Sequence, residues 1–119
     1  MGSLAGNRPR AAYLGDILKA LAHPARLQIV ATLCDGDETV NGLAERLDLK
    51  QAIVSQQLRI LRMSGLVAAV RESGFARYRL AEPRLRELIA CLEGCHRETT
   101  TAGARSKGAM DVQKKGAGR

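Results

Sequence analysis

Apolar residues recur along this chain with two different periods. From Ala11 to Ala22 they fall at positions 14, 17, 18 and 21, a helical spacing. The helix should stop near His23-Pro24, because proline disfavours the α conformation in the residue before it. Pro24 also fits the first turn of a second helix, running to about Leu33 with Leu27, Ile29, Val30 and Leu33 as its apolar set. The stretch CDGDE (34–38) reads as a turn with Gly36 as breaker. Thr39 suits the N-cap of a short helix, Val40 to Leu47, that turns Leu43, Ala44 and Leu47 inward. After a tight connection at Asp48-Leu49-Lys50, a longer amphipathic helix is expected from Gln51 to Ser64, closed by Gly65. Val54, Leu58 and Leu61 form its buried stripe, and Gln51, Ser55, Gln56, Arg59 and Arg62 its outer face.

Beyond Gly65 the pattern shifts to short β-compatible runs, 66–73 and 75–81, around Ser73-Gly74, which predicts a hairpin. A last helix is expected from about Glu82 to Arg97, with Pro83 in its first turn and Leu85, Leu88, Ile89 and Leu92 apolar. The order is α-α-α-α-β-β-α: a mainly α chain with a small β-hairpin, in which two helices joined by a short turn precede a basic hairpin. That is a winged helix-turn-helix. Residues 1–10 read as a flexible N-terminal arm, 11–98 as the folded domain, and 99–119, without periodicity, as a disordered basic tail.

Composition narrows the picture. With 119 residues there is room for one domain, and with three aromatic residues its core must be aliphatic. No run approaches the roughly 18 apolar residues of a membrane span, and no secretory-type run opens the chain, so a cytoplasmic protein without membrane partners is the expectation. The net charge is +7, of which the arm holds +2 and the tail +4. Within the body, residues 50–80 carry six Lys or Arg against Glu72 alone, so the remainder is net acidic. A basic segment on a nearly neutral domain fits a polyanion. No nucleophile-base pair, Gly-rich phosphate loop or paired carboxylates argue for an enzyme.

The chemistry of that segment suits duplex DNA. Gln pairs with adenine and Arg with guanine at major-groove edges. Arg62, Arg71 and Arg77 are placed for phosphates, which position a protein without reading sequence, and Lys50 belongs to the same DNA-binding set. Phe75, near the hairpin tip, is expected to fold back onto the hairpin rather than wedge against the DNA sugar backbone. The base-capable Gln51, Ser55 and Gln56 favour a sequence-specific binder over a DNA-architectural protein.

The segments LKALAHPARLQIVATL (18–33), LAERLDLKQAIVSQQLRILRMSGLV (43–67) and RYRLAEPRL (77–85) resemble the ArsR/SmtB family of bacterial repressors. The resemblance covers about residues 11–97. It implies a homodimer joined through the first and last helices, bound to an inverted-repeat operator and released by an inducer. It places the recognition positions at Gln51, Ser55, Gln56 and Gln57, where the family often carries His at the position of Gln57. The leucine-rich first and last helices independently favour a partner that covers them.

Two inducer sites that the resemblance would imply are missing. Thr39 and Asn41 stand where one branch has Cys-x-Cys, and Arg84 breaks the set Glu82, Arg84, Cys95 and Glu98 that would hold zinc. What remains is Cys91-x3-Cys95 with His96, expected on one helix face. Two thiolates there suit As(III) or another soft ion, with a third donor from Cys34, His96 or a second subunit. The alternatives are a redox or sulfide/persulfide sensor using the same thiols, or a regulator with no small-molecule sensor. With an odd number of cysteines, a disulfide framework is not expected.

Overall fold

Asn7 starts the first helix earlier than the apolar spacing alone predicts. Its side chain accepts a hydrogen bond from the Arg10 amide at 3.0 Å, and Pro9 fits the first turn. Helix α1 therefore runs Arg8–Leu21. A 3-10 turn at Leu4–Gly6, capped by Ser3, precedes it. From Ser3 onward the arm expected to be flexible over 1–10 is thus folded, through two polar caps. This computed structural model describes residues 3–96, and the basic tail expected over 99–119 lies outside the described residues.

Helix α2 spans Pro24–Asp35, and its N-cap is His23, whose Nδ1 accepts from the Ala25 amide at 3.2 Å. Helix α3 spans Val40–Leu47 as expected, with the Thr39 hydroxyl accepting from the Gly42 amide at 3.0 Å. It ends at Asp48 (φ 55°), a short polar residue that tolerates the left-handed region. Helix α4 spans Gln51–Met63. Gly65, at φ 79°, then turns the chain away from the helix, which is the conformation glycine supplies without steric cost.

Strands β1 (Val67–Glu72) and β2 (Phe75–Leu80) pair antiparallel, from Val67 opposite Leu80 to Glu72 opposite Phe75. Ser73 and Gly74 both have positive φ, 48° and 91°, the geometry of a tight type I′ hairpin turn. The hairpin roots in the core through Leu66, Val67 and Leu80, while its distal half is exposed. One strand-like contact was not expected. Glu38, read as part of a turn, pairs with Tyr78, its amide donating to the Tyr78 carbonyl (3.0 Å) and its carbonyl accepting from the Tyr78 amide (2.6 Å). The Arg77 guanidinium adds a hydrogen bond to the Asp37 carbonyl at 3.0 Å.

Helix α5 spans only Leu85–Glu93 rather than 82–97. At its start, Glu82 to Arg84 form a turn closed by the Glu82 carboxylate accepting from the Arg84 amide. At its end, Gly94 and Cys95 donate to the carbonyls three residues back, tightening the last turn and leaving the helix. The core is aliphatic, as composition required. Ile29, Val30, Leu33, Leu43, Val54, Leu58, Leu61 and Leu66 are its most deeply buried side chains.

Candidate nucleic-acid interface

At about 100° per residue, Val54, Gln57, Leu58 and Leu61 share one arc of α4, and all four are buried. The opposite arc carries Gln56, Arg59 and Met63, with Gln51, Ser55 and Arg62 along one flank, all exposed. Lys50, at the N-cap, is exposed as well and makes no side-chain cap. Helix α3 packs against α4 with Leu43 and Ala44 buried in the shared core, so the exposed face of α4 is held against a packed support.

Gln57 departs from the expectation. It is 9% exposed, and its Oε1 accepts a hydrogen bond from Arg26 Nη1 at 2.8 Å. It faces α2 rather than solvent, so it cannot meet a base edge without leaving the core. The pattern did hold the sign of this. Position 57 follows Val54 by three and precedes Leu61 by four, inside the buried arc, where a polar residue requires a partner. That partner, Arg26, went unrecognised, as did Glu38. The Glu38 carboxylate accepts from the Thr39 amide (3.1 Å) and pairs with Arg46 at 3.3 Å.

On the wing, Arg71 and Arg79 are exposed. Arg77 is only partly free, since it is bound to the Asp37 carbonyl and lies 4.0 Å from the Glu72 carboxylate. A shallow groove of about 490 Å³ runs between α4 and β1, edged by Arg59 and Arg62. Phe75 is 48% exposed, so it is not folded away on the hairpin as expected. It lines a second groove, about 440 Å³, against Thr39, Val40 and Asn41 at the start of α3.

Cys34 lies half-buried in the last turn of α2, and its carbonyl accepts from Arg86 Nε of α5 at 3.2 Å. Burial raises its thiol pKa, Arg86 lowers it in part, and Asp35 and Glu93 raise it. Cys91 is exposed on α5. Cys95 and His96 lie just beyond the helix end, and the Cys95 Sγ donates to the Cys91 carbonyl at 3.6 Å, which keeps it beside the last turn of α5. Among the described residues, no three His, Cys, Asp or Glu side chains form a metal-binding group, and no helix is long and apolar enough to cross a membrane.

A braced helix with a polar outer face, followed by an arginine-bearing antiparallel wing, defines a winged helix-turn-helix DNA-binding regulator. Known proteins make the class narrower. Residues 23–69 match the family described as bacterial regulatory protein, arsR family. The biofilm growth-associated repressor of Agrobacterium fabrum is 45% identical over 83 residues, covering 70% of this chain and 71% of that protein. Reduced HlyU from Vibrio cholerae superposes with a TM-score of 0.67 at 35% identity, over 71% of this chain and 90% of that one. A homodimeric winged helix-turn-helix DNA-binding domain from Mycobacterium bovis, a possible ArsR-family transcriptional regulator, gives a TM-score of 0.64 at 32% identity, over 75% and 86%. This chain belongs to the ArsR family of DNA-binding transcriptional regulators.

Proposed function

We propose that this chain is a homodimeric repressor that reads an inverted-repeat operator with the exposed face of α4 and is released by chemistry at its thiols. The carrying observation is that Gln51, Ser55, Gln56 and Arg59 stand exposed on a braced helix beside a wing bearing Arg71 and Arg79. Gln and Arg there meet base edges, and Lys50, Arg62, Arg71, Arg79 and the partly engaged Arg77 meet phosphates. Gln57 supports α4 from behind. The dimer is favoured by the exposed Tyr13 and Leu18 of α1 and Leu92 of α5, and by the homodimeric relative.

For the inducer, an oxidant or a sulfide-derived polysulfide fits the thiols better than As(III). Two exposed thiols close in sequence need only each other to be bridged by sulfur, whereas As(III) at Cys91 and Cys95 requires a third donor, from Cys34, His96 or the other subunit.

The test uses an operator selected from random-sequence DNA by the reduced full-length chain. Fluorescence anisotropy then follows binding after addition of peroxide, polysulfide or As(III). A fall in affinity of about tenfold or more with polysulfide or peroxide, abolished in a Cys91→Ser, Cys95→Ser variant, is the expected result. A double variant that responds like the parent rules the pair out as sensor. A response to As(III) alone moves the reading to the metalloid.

A further inference from the structure

We propose that Arg26 is the positioning residue of the reading helix, fixing the roll of α4 by tying Gln57 to the end of α1. The inference rests on the reading role assigned to α4 above.

The reasoning begins with a missing donor. In a helix the carbonyl of residue 20 would accept from the amide of residue 24, but residue 24 is proline and has no N–H. Ala20 is buried, 7% exposed, so its carbonyl lacks water as a ready substitute. Arg26, in the first turn of α2, supplies the donor, because its Nε donates to the Ala20 carbonyl. The same guanidinium donates through Nη1 to Gln57 Oε1 at 2.8 Å. One planar, rigid group thus joins the end of α1, the start of α2 and the middle of α4.

The apolar contacts of α4 leave a need for this. Val54, Leu58 and Leu61 hold the helix against the core, but hydrophobic contact is non-directional. It opposes withdrawal of the helix more than rotation about its own axis. A charge-assisted hydrogen bond to a buried amide oxygen is directional and opposes rotation. The geometry makes small rotations matter. Side-chain ends lie about 5–6 Å from a helix axis, so a roll of about 10° moves them by about 1 Å. That exceeds the roughly 0.5 Å within which a binding constellation must be held. Gln56, the neighbour of Gln57, would carry that displacement directly to the base edges.

Three properties of the full-length chain test this: the affinity ratio for selected operator over random DNA, the affinity for random DNA alone, and amide hydrogen exchange along α4. Arg26→Met removes both donors at similar length. Gln57→Met removes the acceptor and leaves the Ala20 contact intact, so it keeps the test open if Arg26→Met does not fold. Each is expected to lower the operator ratio about tenfold, with random-DNA affinity unchanged within about twofold, because phosphate contacts dominate the latter. The double variant should lose no more than either single one, as expected for two ends of one interaction. Losses that fall equally on operator and random DNA, or that add in the double variant, overturn the proposal. If the parent itself shows no operator preference, the reading role of α4 fails. Hydrogen exchange then decides the positioning: faster exchange along α4 in Gln57→Met upholds it, and unchanged exchange overturns it.

Discussion

Cys34 sits where α2 ends against α5, and its thiol is shaped by opposing neighbours. Burial pushes its pKa up, and Arg86 draws it partly back. The thiolate is the nucleophile, so a raised pKa means less reactive species at neutral pH. Iodoacetamide labelling followed by mass spectrometry should find Cys34 the slowest of the three thiols, gaining rate as pH rises past the usual thiol range. Arg86→Ala should slow it further. Equal labelling of Cys34, Cys91 and Cys95 would contradict this. Side-chain fates of this kind were only partly legible in the sequence. Gln51, Ser55, Gln56, Arg59 and Arg62 lie on the outer face because helical spacing alone decides that. Gln57 was counted among the reading positions through the family resemblance, although its place three residues on from Val54 puts it in the buried arc. Arg26 escaped notice because its partners are 6 and 31 residues away, on two other helices.

The start of α3 sets two element-level effects against each other. A Cβ on Gly42 would fall on the Glu38 carboxylate, 1.9 Å from Oε1. Gly42→Ala therefore displaces that carboxylate from the Thr39 amide and from Arg46, at a cost of about 1 kcal/mol. The same change gains about 0.8–1 kcal/mol in helix propensity. Chemical denaturation should find Gly42→Ala close to neutral in the native background. In a Glu38→Ala background, where nothing is displaced, it should stabilise by nearly the full propensity gain. An equal effect in both backgrounds would mean the carboxylate does not occupy that space. Element boundaries were read well where a local device sets them, as with Thr39 at the start of α3, Gly65 after α4 and Ser73-Gly74 in the hairpin. The early start of α1 at Asn7 was missed because its apolar set begins later. The end of α5 was placed too far on, although Gly94 stood ready as a stop, because apolar periodicity carries no terminus of its own.

For the whole molecule, the face formed by α1 and the start of α5 remains open in a single chain. A groove of about 680 Å³ there is lined by Arg10, Tyr13, Leu14, Ile17 and Leu88, among others, and Tyr13 and Leu18 are 59% and 54% exposed. Because both side chains face solvent, Tyr13→Asp with Leu18→Glu should leave the single-chain fold intact. Sedimentation velocity should then find monomers, and operator affinity should fall by about a hundredfold or more as the second half-site is lost. A double variant that stays dimeric would place the interface elsewhere. The pairing of Glu38 with Tyr78 has a consequence in time rather than in space. Helices α1 to α3 pack on their immediate neighbours in the chain, whereas this bridge and the Arg77 contact beside it close a loop of about 40 residues, an entropic cost of about 3 kcal/mol. That cost is recovered only once both partners are already formed, so attachment of the wing belongs to the end of folding and to the beginning of local opening.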